Sequence, residues 1–287
     1  MREPAVAAKD ANFLDHIVLW AKRQPDISAL VMTGSRAQPD GAVDDLSDYD
    51  LEIFTSDPSF YTSSDGWMSE IARVWVYLPT EREALCETRL VVFEGGAKAD
   101  FSIRPVESLE VMVKSQQLDE LYERGYRVLI DKEGLASKLP APSYTSVRQL
   151  PTEAEFEAAV NEFWFEASHI PKYLQGNELW VVKSRDWTMK ELLLQMMEWR
   201  ASAANRDVRQ IGVRMNDWVP RADWHRLNEV FGRFDAADSW RALLATLSFF
   251  REVATETADR LGYAYPVDID ASISGYIQRF RDSPFAS

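Results

Sequence analysis

Apolar positions recur at two spacings along the 287-residue chain, and the change from one to the other divides it. Near the start, Phe13, Ile17, Trp20 and Ala21 fall at helical intervals, and Pro25 ends the pattern. The run Ile27 to Thr33, stopped by Gly34, predicts a buried strand. In "DYDLEIFTS" Tyr49, Leu51 and Ile53 alternate with Asp48, Asp50, Glu52 and Phe54, the period-two pattern of a strand that begins with an acidic face. "SSDGWMSEIARVW" predicts a short helix or turn. Residues 89–93 and 99–103 predict a hairpin turning at Gly95-Gly96, with Pro105 closing its second arm. "ESLEVMVKS" then predicts a helix and "YRVLID" a strand.

The stretch from Leu139 to Pro151 carries three prolines and no period, which places a domain boundary there. Beyond it the spacing is helical throughout. Thr152 followed three residues later by Glu155 is a capping box, ahead of a stripe of Phe156, Val160, Phe163, Ala167 and Ile170. A second helix, "DWTMKELLLQMMEWRASAA", buries Met189, Leu192, Leu193, Met196 and Met197. A third begins near Asp238 and stops at Gly262, with shorter helices near residues 224–231 and 269–280. The expected domains are 1–138, a linker 139–151, and 152–287.

Composition changes this picture little, but charge narrows the partners. The formal net charge is −14, which repels a phosphate backbone and argues against nucleic acid as partner. The same field attracts a polycationic small molecule, although an acidic surface also serves plain solubility. Cys86 is the only cysteine, so no internal disulfide forms. The first residues lack a basic stretch followed by an apolar core, and no apolar run is long enough for a bilayer. The expectation is a cytoplasmic protein with no membrane partner, acting as a monomer.

The chemistry concentrates in "VMTGSRAQPDGAVDDLSDYDLEIF". In a strand, Asp48 and Asp50 project side by side. Asp100 joins them if its hairpin arm pairs beside that strand. Three converging carboxylates are unfavourable without a counter-charge. Hard divalent cations supply one, and Mg2+ characteristically takes one or two carboxylates together with substrate phosphates; two such ions would hold a triphosphate and polarise the attacked phosphorus. Gly34 and Ser35 follow a strand and open toward a helix, where backbone N–H groups and a hydroxyl can hold anionic oxygens. Arg36 is a further phosphate contact.

Gly-Ser after a strand, Asp-x-Asp opening the next, and an Asp on a later hairpin arm form the pattern of the nucleotidyltransferase superfamily that resembles DNA polymerase beta. The resemblance sharpens in "GSRA", "DDLSDYDLEIF" and "ADFSIRPVE", then in "NEFWFEASHIPKYLQGNELW", "LLLQMMEWRASA" and "RLGYAYP". These blocks are similar to those of the aminoglycoside 6-adenylyltransferases, also called streptomycin adenylyltransferases, and they span nearly the whole chain. The resemblance implies an α/β (α+β) N-terminal nucleotidyltransferase domain with a mixed sheet, followed by an all-α helical-bundle domain that binds substrate. It implies Mg2+-dependent transfer of AMP from ATP to a hydroxyl of an aminoglycoside, the 6-hydroxyl of streptomycin first among them, releasing pyrophosphate and conferring resistance. On this basis Asp48, Asp50 and Asp100 hold the metals, Asp100 also takes the proton of the attacking hydroxyl, and Gly34, Ser35 and Arg36 hold the ATP phosphates. The chain departs from the family pattern at Leu46, where Phe is usual, and at Gly212-Val213-Arg214, where Gly-Lys is usual. Arg214, with Lys183 or Lys190, is the expected substitute cation for the triphosphate.

Several residues have a functional reading beside an ordinary one. Glu162 and Glu166, four apart on one helix, could meet the cationic groups of an aminoglycoside or merely edge a solvated face. Trp164 could stack on a sugar or guanidinium, or pack in a core. Glu198 interrupts an apolar helix and needs a partner, either a cationic substrate or an internal base such as Arg200. Asp44 and Asp45 shape a loop, and His16, His169 and His225 show no metal spacing. Two alternatives stay open on the sequence: a nucleotidyltransferase with a different small-molecule or protein acceptor, and a non-catalytic relative that binds nucleotide or drug.

Overall fold

The computed structural model describes residues 10–38, 47–80, 86–144, 150–209 and 211–282. Asp44, Asp45 and Leu46 lie outside these. The chain divides into two compact units, Met1–Val147 and Arg148–Ser287, and the division falls within the proline-bearing stretch.

In the first unit, helix α1 (Asp10–Arg23) precedes β1 (Ile27–Thr33) and β2 (Tyr49–Thr55). Short helices α2 (Pro58–Ser63) and α3 (Met68–Ile71) lead to β3 (Val74–Pro79), β4 (Glu87–Phe93) and β5 (Lys98–Pro105). Helix α4 (Val106–Ser115), the short α5 (Glu120–Glu123) and β6 (Arg127–Asp131) complete it. The strands form one mixed sheet in the order β3-β4-β5-β2-β1-β6. Only β2 and β5 run parallel; the other neighbours are antiparallel. One face, carrying Leu30, Met32, Leu51, Ile53, Phe101 and Ile103, packs on Ile17 and Trp20 of α1 and on Tyr61 and Trp67. The other, carrying Ala29, Val31 and Phe54, packs on Leu109 and Met112 of α4 and on Tyr122.

Strand β3 was not expected. The sequence predicts a short helix or turn over "SSDGWMSEIARVW", which ends at Trp75, and "VWVYLP" has no alternation to announce a strand. As an edge strand it exposes side chains on both faces, with Trp75 57% and Leu78 61% exposed, so burial imposes no period on it.

The second unit is helical: α6 (Glu153–Gln175), α7 (Leu179–Ala203), the short α8 (Met215–Trp218), α9 (Arg221–Val230), α10 (Ala236–Leu261) and α11 (Val267–Arg281). The capping box forms as its residues dictate: Glu155 N–H donates to Thr152 Oγ1 and Thr152 N–H to Glu155 Oε2. Phe163 of α6 stacks on Phe250 of α10 at 3.5 Å between centroids. Helix α7 begins seven residues before the expected Asp186. Its first turn, Leu179-Trp180-Val181-Val182, is apolar all round, so no period announces it: Val182 is buried while Trp180 is 81% exposed. Among the described residues no helix is long and apolar enough to cross a membrane.

Candidate active site

The register of the sheet sets five residues in one row across it. Leu78 of β3 pairs Leu90 of β4, Leu90 pairs Asp100 of β5, Asp100 pairs Asp50 of β2, and Asp50 pairs Thr33 of β1. Directly paired residues point to the same face, so Asp50 and Asp100 stand side by side, about 4.8 Å apart at the backbone. The hairpin arm thus lies beside β2, which was the condition for Asp100 to join the others. Asp48 lies two residues ahead of Asp50, with its side chain 41% exposed.

Gly34 follows Thr33 at the end of this row, with φ +67°. A Cβ there would fall 1.8 Å from Asp50 Oδ2. Only glycine allows this backbone to lie against the carboxylate. Ser35 then opens a single 3-10 turn, Ser35–Ala37.

The electrostatics follow from the crowding. Burial pushes the Asp50 carboxyl up from 3.8 to about 6, and the nearby Asp100 and Asp48 add to the shift. Asp100 is raised by its own burial and by Asp48, and Lys98 opposes this. Lys98 Nζ stands 3.9 Å from Asp48 Oδ1. This lysine was missed on the sequence. Its signal was there: it precedes Asp100 by two residues on a strand and shares its face.

The donor set fits a hard divalent cation in chemistry, with carboxylate oxygens only and ionised forms that repel one another. Among the described residues no three His, Cys, Asp or Glu side chains already close to metal-binding spacing.

Arg36, expected to contact phosphate, is also bonded within the chain. Its Nε and Nη2 donate to the carbonyl oxygen of Ser47 at 2.9 and 2.7 Å, and its Cζ lies 4.1 Å from the centroid of the Tyr49 ring. It therefore fixes the backbone on both sides of Asp48. Below Asp50 on the same face, Glu52 is buried. It accepts from Tyr122 Oη at 2.8 Å and from Arg104 Nη1 at 3.1 Å, and Arg104 also meets Asp119. The acidic start of the strand thus becomes a satisfied polar core one step deeper.

In the second unit the expected residues separate. Glu162 is exposed. Glu166 is 7% exposed and takes Arg185 Nη1 on both oxygens at 2.8 and 3.0 Å, so an internal cation already neutralises it. Trp164 is 1% exposed, donates Nε1–H to Tyr265 Oη at 3.1 Å and carries Arg251 over its ring; its packing is the core role rather than the stacking on a ligand. Glu198 accepts from the Gly212 N–H at 3.0 Å. Arg200, its suggested partner, instead meets Asp223 and Glu256. Burial raises the Glu198 carboxyl, and the Gly212 and Ile211 amides oppose this. Lys183 donates to the Gly232 carbonyl at 2.9 Å, and Lys190 is buried against Asp186 and Thr246. Neither lysine is presented to an incoming anion. Arg214 is exposed and lines an open hollow of about 470 Å³ with Arg206, Arg209, Asp207, Asp217 and Trp218.

A mixed sheet with a Gly-Ser turn at one strand end and carboxylates facing each other on the next two strands is the frame of a nucleotidyltransferase. The family model of streptomycin adenylyltransferase matches residues 8–280, and the chain belongs to that family. It is 26% identical over 276 residues to the aminoglycoside 6-adenylyltransferase of Campylobacter jejuni, covering 92% of this chain and 93% of that one. It is 24% identical over 283 residues to the aminoglycoside 6-adenylyltransferase of Bacillus subtilis (strain 168), covering 94% and 96%. A crystal structure of an aminoglycoside 6-adenyltransferase from Bacillus subtilis aligns with a TM-score of 0.45 at 20% identity, covering 94% of this chain and 98% of that one.

Proposed function

We propose that this enzyme transfers AMP from ATP to a hydroxyl of an aminoglycoside, with Mg2+ as cofactor and the 6-hydroxyl of streptomycin as the first acceptor to test. The observation that carries the reading is the direct pairing of Asp50 with Asp100, with the Gly34 backbone against the Asp50 carboxylate. Asp50, Asp100 and Asp48 would hold the metal. When bound, Mg2+ supplies charge neutralisation to the triphosphate and polarises the α-phosphorus. Gly34 and Ser35 receive the phosphates. The acceptor oxygen attacks the α-phosphorus as the bond to pyrophosphate breaks, and its proton passes to an Asp100 carboxylate oxygen. Arg36 keeps Ser47, Asp48 and Tyr49 in place. In the helical unit Arg214, with Arg206 and Arg209 beside it, is the cationic candidate for the triphosphate. A net charge of −14 suits a cationic acceptor by drawing it toward the protein.

The test is direct. Purified protein is incubated with Mg-ATP and a panel of aminoglycosides, and products are weighed for an added AMP. Transfer to streptomycin supports the reading. Transfer only to another kind of acceptor keeps the chemistry and rejects the substrate. Absence of pyrophosphate release with every acceptor rejects both.

A further inference from the structure

The row across the sheet has two different ends. On one side of the carboxylates stand Thr33, Gly34 and Ser35 at the end of β1. On the other stand Leu90 of β4 and Leu78 of β3. One step deeper, Ser102 of β5 pairs Thr88 of β4, and their hydroxyls bond to each other at 3.0 Å. Thr88, Leu90, Asp100 and Ser102 are all half-buried, and Leu78 is 61% exposed. Within this unit Leu109 and Met112 of α4 pack on Ala29, Val31 and Phe54, residues of β1 and β2, rather than on Thr88 or Leu90.

Phosphoryl transfer places the attacking and leaving oxygens roughly in line across phosphorus. Pyrophosphate held on the Gly34-Ser35 side requires attack from the side of β5 and β4. We infer that the half-buried face of β4 and β5 beside Asp100 seats the acceptor, with the Thr88–Ser102 hydroxyl pair binding its hydroxyl groups and Leu90 packing against its carbon skeleton. This rests on the proposed transfer reaction and adds the residues that select the acceptor, Thr88, Ser102 and Leu90. Two hydroxyls bonded to one another keep one O–H donor and several lone pairs for a third partner. Ser102 lies two residues along the strand from Asp100, about 7 Å away on the same face. A second hydroxyl of the molecule that reacts at Asp100 can reach it.

The experiment compares the natural enzyme with the Thr88→Val/Ser102→Ala double variant, measuring KM for acceptor and for ATP separately under Mg-ATP turnover. The expected result is an acceptor KM raised about tenfold, with ATP KM within about twofold and kcat largely kept. Thr88→Ser, which retains the hydroxyl, should behave as the natural enzyme. An unchanged acceptor KM overturns the assignment, and so does a rise in ATP KM alone, which would place nucleotide here. Should the double variant melt early, Ser102→Ala alone gives the same comparison with a smaller shift in the same direction. If the natural enzyme modifies no acceptor, the proposed function has failed; if it does and the variants are indifferent, only this inference has.

Discussion

Gly34 and Asp50 occupy adjoining space so closely that a methyl group on the glycine would lie 1.8 Å from Oδ2 of the aspartate. The glycine's φ of 67° and ψ of −157° place it where side-chain-bearing residues are almost never found. Gly34→Ala therefore meets two obstacles, backbone strain and displacement of Asp50. The expected outcome is a kcat lower by about 100-fold or more and a loss of about 1–3 kcal/mol of stability. Chemical denaturation and steady-state kinetics on the purified variant measure both. A kcat within a few-fold of the natural enzyme would show that Asp50 need not stand where it does.

The raised carboxyl of Asp50 makes a signed prediction about pH. Its value rises from 3.8 to about 6 on folding. Between those values the folded protein holds more protons than the unfolded chain. The group's contribution therefore falls as pH rises from about 4 to 6, then levels off. In the absence of divalent metal, Asp50→Asn should match the natural protein near pH 4. It should exceed it near pH 7 by an amount on the order of 2 kcal/mol, allowing for partial solvent screening. Added Mg2+ should stabilise the natural protein and leave the variant unmoved. Melting curves at both pH values, with and without Mg2+, test the sign. Equal stability of the two proteins at pH 7 would show that burying the Asp50 carboxylate beside Asp100 and Asp48 costs the fold nothing.

Lys98 Nζ lies 3.9 Å from Asp48 Oδ1, and the lysine opposes the raising of Asp100. Lys98→Met removes that cation and leaves a chain of similar length. The Asp100 carboxyl should titrate higher, so the acid limb of the kcat/KM profile should move to higher pH. Lys98→Arg should restore the natural profile. An acid limb identical in all three proteins would sever Lys98 from the chemistry.

The sheet unit was legible where burial imposes a period and illegible where it does not. Tyr49, Leu51 and Ile53 alternate because one face of β2 is core. Trp75 to Leu78 do not, because an edge strand has no inside. The carboxylates were readable as a cluster because like charges at i and i+2 demand an explanation. Their closeness to Gly34 was not, since a side chain resting on backbone leaves no mark in spacing. In the helical unit Glu166 and Trp164 were ambiguous because long helices bury polar atoms whenever a partner reaches them. Arg185 and Tyr265, the partners that decide the matter, lie 19 and 101 residues away.

Glu198 illustrates how an acidic residue in an apolar helix can serve a distant loop. It accepts from Gly212 N–H. Ile211, Gly212 and Arg214 have φ of 59°, 68° and 48°. Positive φ is strained at Ile211 and Arg214, which carry side chains, and contacts from outside the turn help to hold it. The Glu198 carboxylate is such a contact, two residues before Arg214, which lines a hollow with Arg206 and Arg209. Glu198→Ala should release the turn, raising KM for ATP about tenfold through the loss of a placed guanidinium, with stability lower by about 1 kcal/mol. Glu198→Gln keeps an acceptor oxygen and should fall between. With Arg214 holding the triphosphate as proposed, Arg214→Ala should raise KM for ATP similarly, and adding Glu198→Ala to it should cost little more, because both changes remove the same proposed contact. Fully additive effects in the double variant would show that the glutamate and the arginine act separately.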